Sequence, residues 1–123
     1  MREFDTGATR NNSDDKYCYE GFFSPAVMEC YAEYMHSHRK QADGKLRDAD
    51  NWQHGISQDV YMDSLLRHVM DLWFMHRGYT RFDHDSGEQL TFKGVCCAIL
   101  FNVKGYLFEE IVKITGKRPM EDK

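Results

Sequence analysis

Apolar residues recur with helical spacing in three stretches, and the clearest runs from Val60 to Tyr79. At 100° per residue, Tyr61, Leu72, Leu65, Val69, Met62, Trp73 and Leu66 share one broad apolar arc, while Asp63, Arg67 and Asp71 line the other side. His68 falls at the border. Ser57 precedes the first turn as an N-cap and Gly78 follows the last as the C′ residue, so the pattern predicts a complete amphipathic helix.

A second helix is predicted from Ser24 and Pro25, a cap followed by a first-turn proline, to about Arg39. Val27, Met28, Cys30, Tyr31, Tyr34 and Met35 form its apolar side. Glu29, Glu33, His36 and Lys40 form a narrow stripe nearly opposite, because offsets of four, seven and eleven return to one face. The third helix spans Thr91 to Thr115 and is closed by Gly116. Its first half is apolar on every side, which predicts the buried helix. Gly94 and Gly105 within it point to close approach of a neighbour. No strand alternation persists. The prediction is one all-α domain over 1–123, a small bundle of three main helices with a long basic loop after the first.

Residues 1–15 read as a polar arm, pinned to the body by Tyr17, Tyr19, Phe22 and Phe23, and 117–123 as a frayed tail. Three helices bury limited area, and the content of aromatic residues and methionine is high, so completion by a homo-oligomer is expected. A net charge of −4 argues against a partner that is a long nucleic acid, whose phosphates require clustered cations. No apolar run reaches membrane-spanning length and the first twelve residues are too polar for a signal peptide, so a cytoplasmic protein with no membrane partner is expected. Cys18, Cys30, Cys96 and Cys97 have neither CxxC nor zinc-ligand spacing and read as reduced packing residues.

Candidate chemistry falls at four places. Glu29 and Glu33, one turn apart, have the spacing of two oxygen ligands for Mg²⁺, or they form an ordinary solvated face. In the loop from Lys40 to Gly55, Arg39, Lys40, Lys45 and Arg47 concentrate positive charge beside Trp52, which either stacks on a base or packs under the loop. Asp83 and Asp85 flank His84 in a polar turn that serves a cation or simply bends the chain. Asn102 lies in an apolar run, as a structural hydrogen-bond hub or as part of a site.

The order of these features carries a resemblance over roughly residues 6 to 110. TGATR stands near the start, followed by an aromatic stretch ending in SP, a helix with spaced glutamates, NW in a basic loop, LLRH, DHDSG in a turn, and a final helix with a central Asn. This order resembles the phage dATP/dGTP diphosphohydrolase-type domain, itself similar to the MazG-like all-α nucleoside triphosphate pyrophosphohydrolases. The resemblance implies an all-α, commonly oligomeric fold in which carboxylate-held Mg²⁺ helps water attack a phosphorus, with release of pyrophosphate. The motif positions it matches are Glu29, Glu33, Asn51, Trp52, Arg67, His68, Asp83, Asp85 and Asn102, and it implies catalytic roles for Glu29, Glu33 and His68, metal binding by Glu29 and Glu33, and nucleotide contacts from Asn51, Trp52, Arg67 and Asn102. Beside these, Asp71 of the central helix is expected as a further metal ligand, and the loop cations Lys40, Lys45 and Arg47 are expected to neutralise the phosphates. One departure is that Val95 and Ala98 stand where the family usually has histidines, and the tract before Asn51 is longer. The sequence therefore supports two expectations. One is a nucleotide pyrophosphohydrolase, and the other a catalytically silent protein that sequesters a nucleotide or a nucleotide-derived defence signal.

Overall fold

The computed structural model describes residues 2, 3, 5–10 and 15–119. It is an all-α bundle built on three long helices. Ahead of them, the described part of the expected polar arm forms a small antiparallel ribbon, β1 (Arg2–Glu3) with β2 (Thr9–Arg10). A single-turn helix follows, α1 (Tyr19–Phe22). Its aromatics do not pin the arm to the body. Tyr17, Tyr19 and Phe23 pack on one another, edge-on at 6.2 Å and stacked at 6.3 Å, and all three stay exposed.

The long helices begin where side chains satisfy the free amides of a first turn. The Ser24 hydroxyl accepts from the Val27 N–H at the start of α2 (Pro25–Ser37). Ser57 does the same for Val60 in α3 (Gln58–His76), and Thr91 for Gly94 in α4 (Phe92–Thr115). Gly78 follows α3 at φ +94°, and Gly116 closes α4 at φ +69° with its N–H on the Val112 carbonyl. Among the described residues, no helix is long and apolar enough to cross a membrane.

The heart of the fold is an antiparallel α3–α4 hairpin. Tyr61 packs edge-on against Phe101, while Gln58, one turn earlier, donates to the Tyr106 carbonyl and to Glu110. Tyr61 is 1% exposed and lies flat over Gly105, where a Cβ would stand 2.2 Å from its ring. The close approach anticipated at Gly105 is therefore with Tyr61. Val95, Ala98 and Asn102 complete the buried face of α4.

The apolar arc of α3 is only half covered. Tyr61, Leu65, Leu72 and Met75 lie on the covered side, with His68 among them rather than at a border. Met62, Leu66, Val69 and Trp73 face outward. The packed side is rotated toward Ser64 and His68, because α4 approaches α3 from one flank of the arc. Helix α2 lies on a different face of α4, where the Cys30 and Cys97 sulfurs approach to 3.9 Å. It packs on α4 and not on α3, and none of its residues is buried.

Two connections depart from expectation. Helix α2 ends at Ser37 instead of about Arg39, because the chain turns into a hairpin-like ladder. In it the Arg47 N–H donates to the Arg39 carbonyl (2.7 Å) and the Gln41 N–H to that of Lys45 (2.8 Å), around Gly44 at φ +83°. A 3₁₀ turn over Asn51–His54 then leads into α3. At the other end, the tail expected to fray is tied down as far as it is described, and 120–123 lie outside the described residues. Arg118 is half-buried, forms a two-pronged ion pair with Glu109 (2.6 and 3.0 Å) and donates to the Gln53 carbonyl (2.8 Å). The guanidinium holds the Glu109 carboxyl below its ordinary range, with smaller help from the Ile56 amide.

Candidate functional site

A cavity of about 820 Å³ opens between α2, the loop that follows it and α4. Met28, Tyr31, Ala32 and Met35 supply the α2 wall, Phe101 and Lys104 the α4 floor, and Arg39, Arg47, Asn51 and Trp52 the loop side. Its volume falls within the range of small-molecule pockets, and its lining is largely apolar with a few convergent polar groups, which is the usual make-up of a ligand site.

Lys104 is the unusual residue here. Its ammonium lies 3.9 Å from the Trp52 ring centre and 4.9 Å from that of Tyr31, and burial pulls its pKa down. Two aromatic faces give a cation favourable quadrupole contact but no counter-charge. Among the described residues, no carboxylate pairs with Lys104. Beside it, the Tyr31 hydroxyl is buried without a hydrogen-bond partner. Burial, reinforced by Tyr34, pushes the Tyr31 phenol up to about 12, so it stays protonated as a donor. A half-buried cation without a counter-charge in a cavity wall is complementary to an anion.

The loop presents two arginines at the same cavity. Arg39 donates through Nε to the Arg47 carbonyl (2.7 Å), and Arg47 through Nη1 to the His38 carbonyl (3.0 Å). Each contact orients a guanidinium while leaving most of its five donors for a ligand. Asp48 also lines the cavity and sets a limit on how much negative charge fits there.

The predicted residues thus divide. Arg47, Asn51 and Trp52 are brought together at the cavity. Trp52 packs beneath the loop on α4, with Lys104 over one face of its ring and Phe108 at 5.0 Å in a T-shaped contact. It is a seat for a cation. Lys40 and Lys45 are exposed on the hairpin, outside the cavity lining, with Lys40 bridged to Leu46. Arg67 is exposed and paired with Asp63 one turn earlier, a surface rung of α3. Asn102 lies outside the cavity lining, on the buried face of α4, donating to the Ala98 carbonyl at 2.8 Å. Lys104, Tyr31 and Arg39 complete the cavity but are absent from the predicted ligand contacts. The available signal for Lys104 was its spacing, three residues after Phe101 and four before Phe108 on an aromatic face.

The residues assigned to metal and catalysis are dispersed. Glu29 and Glu33 are exposed on α2, with no hydrogen-bond or ion-pair partner among the described residues. His68 and Asp71 are on α3, whose backbone α2 does not approach closely. Asp71 is held by Arg81 at 3.1 Å, and Arg81 also covers the Phe74 ring at 4.2 Å. Burial lowers the His68 pKa, opposed by Asp71 and Asp83, with no α2 carboxylate among the charges acting on it. Asp83 accepts from the Ser86 and Asp85 amides (2.8 and 3.1 Å), which hold its carboxyl below the ordinary range and identify it as a turn-former. Among the described residues, no group of three or more His, Cys, Asp or Glu side chains is gathered as for a metal ion, and Glu29 and Glu33 stand on a different helix from Asp71.

Comparisons with protein-family models, curated proteins and solved structures find no match for this chain.

Proposed function

We propose that the protein binds a nucleotide, or a nucleotide-derived phosphorylated molecule, in the cavity between α2, the basic loop and α4. The observation that carries this reading is Lys104, a half-buried ammonium held by two aromatic rings and lacking a carboxylate partner among the described residues. A phosphate supplies the missing counter-charge, and Arg39 and Arg47 meet further phosphate oxygens at the mouth. The apolar α2 wall, with Met28, Ala32 and Met35, accommodates the base. The order of motifs supports the same ligand class.

In this reading the ligand is retained rather than cut. Asp71 stands on a different helix from Glu29 and Glu33, and Val95 and Ala98 offer no proton-transfer group. Titration calorimetry of the whole protein with each dNTP and NTP tests the proposal. Saturable binding that is weakened at least about tenfold by Lys104→Gln supports it, that factor matching about 1.4 kcal/mol for one charge-assisted contact. Heat-silent titrations for every nucleotide, or unchanged affinity in Lys104→Gln, would sink it.

Turnover is the second reading, favoured by one feature. Glu29 and Glu33 stand exposed and uncommitted one turn apart on α2. Incubation with each dNTP and Mg²⁺ separates the readings, since monophosphate and pyrophosphate appear only if the chain is a hydrolase and vanish in Glu33→Gln if this stripe takes part.

A further inference from the structure

Helix α2 is the least secured of the long helices, and a pair of sulfurs lies at its contact with α4. The Cys30 and Cys97 sulfurs are 3.9 Å apart, although the two residues are separated by 67 positions in the chain. Cys97 is 4% exposed on α4, whereas Cys30 on α2 is half-buried and partly open to solvent. Cys18 and Cys96 are exposed and stand outside this pair. The sulfurs of a disulfide lie ~2.05 Å apart, so closure requires an approach of about 2 Å. Helix α2 buries none of its residues, which leaves it free to make that movement. We propose that Cys30 and Cys97 form a reversible thiol–disulfide switch that clamps α2 onto α4 and limits how far the cavity between them opens.

The two cysteines divide the chemistry. Cys30 is reachable by a small disulfide such as oxidised glutathione, whereas burial pushes the Cys97 thiol up and keeps it from reacting first. In the first exchange the Cys30 thiolate attacks one sulfur of that oxidant, the oxidant's S–S bond breaks, and the departing thiolate takes the proton that Cys30 released. In the second, the Cys97 sulfur attacks the Cys30 sulfur of the mixed disulfide, and the remaining glutathione leaves as a thiol with the Cys97 proton. Two protein thiols are oxidised to one disulfide, and one small disulfide is reduced to two thiols. The new bond closes a loop containing the rest of α2, the basic loop and all of α3, a span over which a cross-link removes much of the freedom of the unfolded chain. It also joins two walls of the cavity, because Cys30 precedes the wall residue Tyr31 and Cys97 stands one turn before the floor residue Phe101. Neither cysteine lines the cavity, so the clamp takes up none of its volume. An effect on ligand exchange rests on the nucleotide reading of the cavity, whereas the clamp itself does not.

The test uses Cys18→Ser with Cys96→Ser, two exposed substitutions that leave the pair as the only thiols of the chain. Oxidised glutathione is expected to remove both thiols, peptide mapping to recover Cys30 linked to Cys97 within one chain, and dithiothreitol to restore them. Hydrogen exchange at the α2 amides is expected to slow several-fold in the oxidised form, with α3 unchanged. Nucleotide release from the oxidised form is expected to slow several-fold as well. Glutathione left on Cys30 with Cys97 still free, a link that joins two chains, or equal α2 exchange in both forms overturns the clamp. Equal release rates despite slowed α2 exchange overturn its control of the cavity. A clamp that forms and slows α2 exchange in a chain that binds no nucleotide in either form supports the switch and sinks only the nucleotide reading. If the double variant fails to fold, peptide mapping of the oxidised wild-type chain decides, since a Cys30–Cys97 link supports the clamp and its absence overturns it.

Discussion

The α3–α4 hairpin and the α2–loop unit are built to opposite specifications. The hairpin contains every buried residue among those described, including Tyr61 on Gly105, the Asn102 contact and the Glu109–Arg118 pair. Helix α2 buries none of its residues, docks on α4 alone and borders the cavity. Close packing fixes the first as a scaffold, whereas sparse packing leaves the second able to adjust around a ligand. Under the proposed function, stability and recognition fall on separate residues, and substitutions should divide accordingly.

The largest effect is expected at Arg118→Ala, which strands the Glu109 carboxylate in a dry site. Breaking a buried pair costs roughly 3–5 kcal/mol, and slight exposure of this one places the loss near the lower figure. Urea denaturation as a function of pH measures it. Because the folded Glu109 carboxyl lies below its ordinary range, the stabilisation is complete above the unfolded value near ~4.3 and is lost as pH falls through the folded one. Glu109→Gln should remove that acid-dependent component. Gly105→Ala comes next, since its Cβ collides with the Tyr61 ring. Overpacking of this kind costs about 1–3 kcal/mol, read from the same denaturation midpoint. If the midpoint is unchanged, the hairpin is looser than it looks.

On the other side of the comparison, Met28→Ala should cost under about 1 kcal/mol, because more than half of that side chain is already exposed. The smallest effect on stability is expected for Lys104→Met. Burial disfavours the charged ammonium, so its removal should leave the melting temperature equal or higher while nucleotide affinity falls. A destabilised Lys104→Met protein with unaltered affinity would make Lys104 part of the scaffold and erase the division.

Much of the fold was legible because local chemistry announces it. Ser24 and Ser57 are caps in fact as in pattern, Thr91 caps the third helix where its predicted range begins, and Gly78 and Gly116 take the left-handed backbone their positions require. The covered half of the α3 arc was not distinguishable from the open half, because periodicity registers apolarity and not how many neighbours are present to bury it. The cavity was half-legible for a similar reason. Arg47, Asn51 and Trp52 lie within six consecutive residues, whereas Lys104 joins them only through the docking of α2 and the loop on α4. The acidic stripe of α2 has the spacing of a metal site, but spacing within one helix cannot show what faces it.

Arg118 gives the far end of the chain a mechanical role. Its guanidinium is bonded both to Glu109 on α4 and to the carbonyl of Gln53, next to Trp52. Load on the segment around Arg118 is therefore shared between α4 and the turn that carries Trp52. A fluorophore or surface tether attached there would report on the cavity and also disturb it. The exposed turn at Gly87 offers an attachment point that leaves this linkage slack.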